Sequence, residues 1–150
     1  MAFVFRLQQL LQISIHEENE VKNRLAKKDG QIAEANMLIK KYRQEYDEAL
    51  EQQSPDLQAG EIAKVQMYPP YLKSLQRSWE YQEEELERLE KQRQKIVEEL
   101  LEKQRSRKTF EKMRENDEAH YKKELLIKEQ KRLDEFGNRQ KRTPGETENA

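Results

Sequence analysis

A ladder with alternating steps of four and three residues runs unbroken through the N-terminal third of this 150-residue chain: Leu7, Leu11, Ser14, Glu18, Val21, Leu25, Lys28, Ile32, Ala35, Ile39, Tyr42, Tyr46 and Ala49. Ten of the thirteen are apolar or aromatic. A mean step of 3.5 residues is the seam of a left-handed coiled coil, because it keeps one stripe of a slightly under-wound helix facing a partner along its whole length. A second ladder has the same spacing: Tyr68, Leu72, Leu75, Trp79, Gln82, Leu86, Leu89, Arg93, Ile96, Leu100, Lys103, Arg107 and Phe110. Both span 42 residues. Two equal stripes on one chain satisfy each other when the chain folds back, since a local loop costs less entropy than joining two chains. The expected fold is all-α, a long antiparallel two-helix coiled-coil hairpin, monomeric, with an unpaired C-terminal helical overhang.

Composition agrees with a thin seam rather than a thick core. Charged residues make up 39% of the chain and aromatics 7%, with four Gly and four Pro. At 34% hydrophobic residues and a mean hydropathy of -1.25, the chain cannot wrap a globular core of ordinary thickness. The absence of cysteine excludes disulfides and thiolate chemistry and fits a reducing compartment, so the cytoplasm is expected. The apolar start Met1–Phe5 meets Arg6 at once, too short for a signal peptide, and no apolar run approaches the roughly 20 residues of a membrane span.

The boundaries follow from proline and glycine. Ser54-Pro55-Asp56 with Gly60 predicts that helix one, about 4–52, ends in a turn of about 53–68. Pro69-Pro70 then opens helix two, about 69–136, since proline suits a first helical turn. With Leu7 beside Phe110 and Tyr46 beside Leu72, the turn centres near residue 58 or 59. After Phe110 the ladder changes phase, and Met113, Tyr121, Leu125, Leu126, Leu133 and Phe136 fit a helix but not the old stripe. About 25 residues are expected to project, ending near Gly137-Asn138, with 1–138 as one domain and 139–150 as a disordered tail. Residues Glu102–Arg142 hold 14 Lys and Arg against nine Asp and Glu, so the projecting part is basic.

No catalytic, cofactor or metal site is expected. His16 and Glu20 share a helix face at a spacing that suits a cation, but no third ligand is in reach, and solvent-exposed polar residues account for them. No phosphate-cradling loop or nucleophile set is present, and two helices enclose no deep pocket. Tyr42, Tyr46, Tyr68, Tyr71, Trp79 and Tyr81 concentrate aromatic surface near the turn. Four of these are ladder positions that fill the seam, whereas Tyr71 and Tyr81 lie off it and fit a docking patch. Ser14, Glu18, Lys28, Gln82, Arg93, Lys103 and Arg107 are polar seam positions that fix register, or weaken the seam enough to open it. The basic stretch Arg105–Arg132 reads as a solvated helix laced with i to i+4 pairs or as a contact for an acidic protein. Interleaved acids and a net charge of -1 argue against nucleic acid.

Several residues carry a resemblance. Phe3-Val-Phe5-Arg-Leu7 with Leu10-Leu11, the tyrosine-rich middle (Tyr42, Tyr46, Tyr71-Leu-x-x-Leu75), Lys108-Thr-Phe-Glu-Lys112 and Glu129-Gln-Lys131-Arg-Leu133-Asp134-Glu135 resemble the FliJ family of flagellar type III export proteins over nearly the whole chain. The resemblance implies a non-enzymatic stalk similar to the central stalk of rotary ATPases. Its implied partners are the hexameric flagellar export ATPase, whose assembly and activity it promotes, the export-gate membrane protein, and export chaperones. Its implied place is the cytoplasmic face of the membrane at the flagellar base. The implied gate contact maps to Ile39, Tyr42, Tyr46, Tyr71 and Leu75, continued by the less apolar Ser78 and Gln82. The implied ATPase contact lies at the free ends, at Phe3, Phe5, Leu7, Lys108, Lys112, Arg114, Lys131 and Leu133. A virulence-type injectisome stalk, a general coiled-coil adaptor and an RNA-binding arm are the competing readings.

Overall fold

The computed structural model describes residues 2–148, with side chains through Lys141. Two helices account for nearly all of it: α1, Gln8–Gln58, and α2, Ile62–Glu148, of 51 and 87 residues. The chain divides into two compact units, one of Glu17–Glu102 and one of Met1–His16 with Lys103–Ala150.

Within the Glu17–Glu102 unit, α1 and α2 run antiparallel, and both ladders face inward. Val21, Ala35, Ala49, Leu75 and Leu89 are buried, and the remaining apolar ladder members of this unit are at least half-covered. Two polar seam members, Lys28 and Arg93, bond across the pair. Lys28 Nζ donates to Gln92 Oε1 at 2.8 Å, and Arg93 Nε donates to Asp29 Oδ1 at 2.6 Å. Beside them Arg24 Nη2 reaches Glu99 Oε1 at 2.6 Å. Buried Glu18 carries an ion pair with Lys22 at 3.2 Å.

The register differs from expectation. Tyr46 packs against Trp79, one heptad beyond the Leu72 expected there. A slip of seven residues returns every ladder position to the seam, so periodicity alone does not separate the two registers. The connection decides between them. Helix α1 continues through Pro55 to Gln58, and only Ala59–Glu61 lie between the helices. Gly60 takes φ 77°. Its N–H donates to Leu57 O at 3.2 Å, and that of Glu61 donates to Asp56 O at 3.2 Å. These are the paired bonds of a Schellman motif, with the glycine in the left-handed position.

The proline-based boundaries are accordingly corrected. Pro55 removes one helical donor, but the ladder continues past it through half-covered Gln53 to buried Asp56, and tertiary contacts outweigh the local penalty. Helix α2 starts seven residues before Pro69, which with Pro70 lies exposed inside the helix.

In the second unit, Phe5 and Leu11 are buried, and Phe3 packs on Tyr121 with ring centroids 5.6 Å apart. The covered part of α2 thus reaches Tyr121 rather than stopping at Phe110, consistent with the heptad shift. From Lys122 through Phe136 every residue is exposed, which makes this the unpaired overhang. Gly137 does not end the helix, since its backbone stays out of the left-handed region. The tail expected to be disordered from Arg139 is helical to Glu148, and Asn149 and Ala150 lie outside the described residues. Among the described residues no helix is long and apolar enough to cross a membrane.

Candidate functional site

The aromatic cluster of the Glu17–Glu102 unit is built on two ladder faces. Tyr46 meets Trp79 edge-on, with centroids 5.1 Å apart and planes at 82°. The guanidinium of Arg43 lies 5.9 Å from the centre of the Trp79 ring and also pairs with Glu83, a cation–π contact tied to an ion pair.

Nearer the connection, buried Asp56 accepts a hydrogen bond from the Tyr68 hydroxyl and one from Gln52 Nε2 at 3.3 Å, with Lys64 Nζ at 3.9 Å. The Tyr68 bond, helped by Gln52 and Lys64 and opposed by burial, holds the Asp56 carboxyl below its ordinary value. The same bond, reinforced by burial and by the charges of Asp56 and Glu61, pushes the Tyr68 phenol up to about 12. This clasp joins the last turns of α1 to the first of α2.

The residues expected to form one gate-facing stripe are divided by this arrangement. Leu75 is buried, while Ile39, Tyr42 and Tyr46 are half-covered members of the seam. Tyr71, 46% exposed, stands outside it. Two of the grooves along this unit hold Tyr42 and Tyr71. One, of about 490 Å³, is lined by Tyr42, Pro70, Lys73, Ser74, Arg77, Ser78, Tyr81 and Gln82. The other, of about 390 Å³, is lined by Glu45, Glu48, Ala49, Gln52, Tyr68 and Tyr71. Tyr42 and Tyr71 therefore belong to surfaces of opposite charge. The basic groove includes Ser78 and Gln82, the expected continuation of the stripe, but also Lys73 and Arg77, which sequence reasoning missed. Their signal was available: positions 70, 73, 77 and 81 recur at helical spacing on the outer face of α2, turned away from the ladder.

In the other unit the eight residues expected at the free ends also separate. Phe5 is buried, and Phe3 and Leu7 are half-covered, so all three contribute to packing. Lys108, Lys112, Arg114 and Lys131 are exposed, and Leu133 is 69% exposed. On the overhang Arg132, Leu133, Glu135, Phe136 and Arg139 frame a shallow concavity of about 400 Å³. His16 and Glu20 each take part in an interaction, and no three His, Cys, Asp or Glu side chains converge into a cation cage among the described residues.

Comparison with known proteins identifies one family. The family model described as flagellar FliJ protein matches residues 3–146. No curated protein and no solved structure matches the chain.

Proposed function

The chain belongs to the FliJ family of flagellar proteins, components of the flagellar type III export apparatus, and from that premise we propose that it acts as a non-enzymatic stalk and adaptor. In this reading the Met1–His16 and Lys103–Ala150 unit engages the hexameric export ATPase and promotes ring assembly and turnover. The turn-proximal surface of the Glu17–Glu102 unit engages the export-gate membrane protein, and export chaperones are received on the same molecule. The protein works from the cytoplasm at the inner face of the membrane beneath the flagellum. A coupling element needs no chemistry of its own, only faces that two partners can hold.

The observation that carries the ATPase contact is the overhang, which exposes Leu126, Leu133 and Phe136 beside Lys and Arg along a face that no other part of its unit covers. An apolar stripe edged with cations fits an annular partner that supplies its own apolar and acidic lining. The gate contact rests on exposed Tyr71 and Tyr81 and on half-covered Tyr42, residue types that bury large area at little entropic cost.

The test is the hydrolysis rate of the cognate purified export ATPase with and without this protein, with ring formation followed alongside. Stimulation with assembly is expected from the full chain. A chain ending at Tyr121, which keeps the covered part of α2, is expected to retain helical circular dichroism and lose stimulation. Stimulation undiminished by that truncation overturns the assignment of the overhang, and a folded full-length chain that neither binds nor stimulates overturns the stalk reading.

A further inference from the structure

We infer that the groove lined by Tyr42, Lys73, Arg77 and Tyr81 is a docking site for an acidic segment of a partner protein, one that carries an apolar residue between its carboxylates. The inference goes beyond the stalk reading, because it fixes the chemistry of the segment whichever partner supplies it.

The charge balance is the first argument. Lys73 and Arg77 lie four apart on one face of α2, where like charges repel. Neither takes part in an ion pair among the described residues, and no carboxylate lines the groove. The carboxylates nearest in sequence are occupied: Glu83 pairs with Arg43, and Glu80 accepts a hydrogen bond from Gln76 at 3.1 Å. Elsewhere in the unit, cations such as Arg24, Arg88 and Arg93 reach carboxylates at 2.6 Å. With two cations and no carboxylate in its lining, the groove presents a positive surface whose charge is complementary to an acidic segment.

The shape and lining of the groove supply the second argument. Tyr42, Pro70 and Tyr81 give it an apolar and aromatic surface, and Tyr81 is 60% exposed. Aromatic side chains beside Arg are the combination most enriched where protein interfaces concentrate their energy. A bare polyanion would use the cations and leave the rings idle. The neighbouring groove, with Glu45 and Glu48, repels the same segment, so docking is confined to the basic groove.

The probe is a fluorescein-labelled peptide of repeating Glu-Glu-Leu-Leu, titrated with the full-length protein and followed by anisotropy. Wild type is expected to bind. K73E/R77E is expected to bind roughly tenfold more weakly or worse, and Y81A to weaken binding even at salt concentrations that screen the charges. E45K/E48K, in the neighbouring acidic groove, is expected not to weaken it. All these positions except half-covered Glu45 are exposed; if K73E/R77E loses helicity, K73Q/R77Q replaces it.

Unchanged affinity in a folded charge-reversed protein overturns the inference, as does a wild type that ignores the peptide. An oligonucleotide of equal charge, or a phosphatidylserine vesicle, that binds as tightly as the peptide and loses affinity equally in K73E/R77E also overturns it, in favour of a general polyanion surface. Stimulation of the export ATPase is read separately on the same proteins. Its absence from wild type would refute the stalk while leaving the peptide result intact.

Discussion

The Asp56–Tyr68 clasp depends on two opposite protonation states, a charged acceptor and a neutral donor. Asp56 has its folded value depressed, so its contribution is present above the ordinary value of 3.8 and is lost as pH falls through the lower folded one. Tyr68 has its value raised from 10.0 to about 12, so its contribution is complete below pH 10 and is lost as pH rises through the folded value. The clasp should therefore strengthen the fold across the neutral range and fail at both extremes. Thermal melts of wild type and Asp56→Asn, run from pH 3 to pH 12, should differ most between about pH 4 and pH 10 and draw together toward both ends of the range. A separation independent of pH would mean that Asp56 acts by packing alone. Trp79→Ala removes the edge-on contact with Tyr46 and the seat of Arg43; for a half-covered indole the expected loss is about 2 kcal/mol, read by urea unfolding.

At the scale of the element, two glycines make opposite predictions. Gly60 is left-handed, and a Cβ there would meet nothing within 4 Å, so Gly60→Ala should destabilise by about 1 kcal/mol through backbone strain alone. Gly30 is right-handed inside α1 with the same open surroundings. Gly30→Ala should stabilise by about 1 kcal/mol, because alanine restricts the unfolded chain and favours helix. The register has its own test. A short bis-maleimide should join R24C to E99C, across the observed Arg24–Glu99 pair, in preference to R24C and Q92C, the pair brought together by a one-heptad slip. Efficient joining of the second pair alone would place the sequence-derived register in solution. The exposed pairs themselves contribute little, each worth at most about 1 kcal/mol, so the connection and the clasp carry more of the choice.

Across the whole molecule, charge is distributed by surface rather than by net value, which is only -1. The basic groove, the acidic groove and the basic overhang can each select a partner while the total stays near neutral. Reversing Lys108, Lys112 and Arg114, all exposed, should weaken association with the export ATPase and flatten its salt dependence while leaving the melting temperature nearly unchanged. Sedimentation of the mixed proteins at two ionic strengths reads the association, and circular dichroism reads the fold. Reversing Lys73 and Arg77 should leave that association intact.

The ladders were sufficient to establish which face of each helix is covered: from Leu7 to Phe110 every ladder position is at least half-buried. Helical class and antiparallel pairing were legible for the same reason, since both follow from local periodicity and chain connectivity. Register was not, because heptad repetition makes neighbouring alignments equivalent at the seam. The choice fell to long-range groups, namely the hydrogen bond between Asp56 and Tyr68 and the tight turn at Gly60, which together carried α1 through a proline that local propensity reads as a stop. The same alignment decided the candidate surfaces. Sequence could gather tyrosines near the turn, but which of them face inward, and that Tyr42 and Tyr71 border grooves of opposite charge, depends on what the second helix brings alongside.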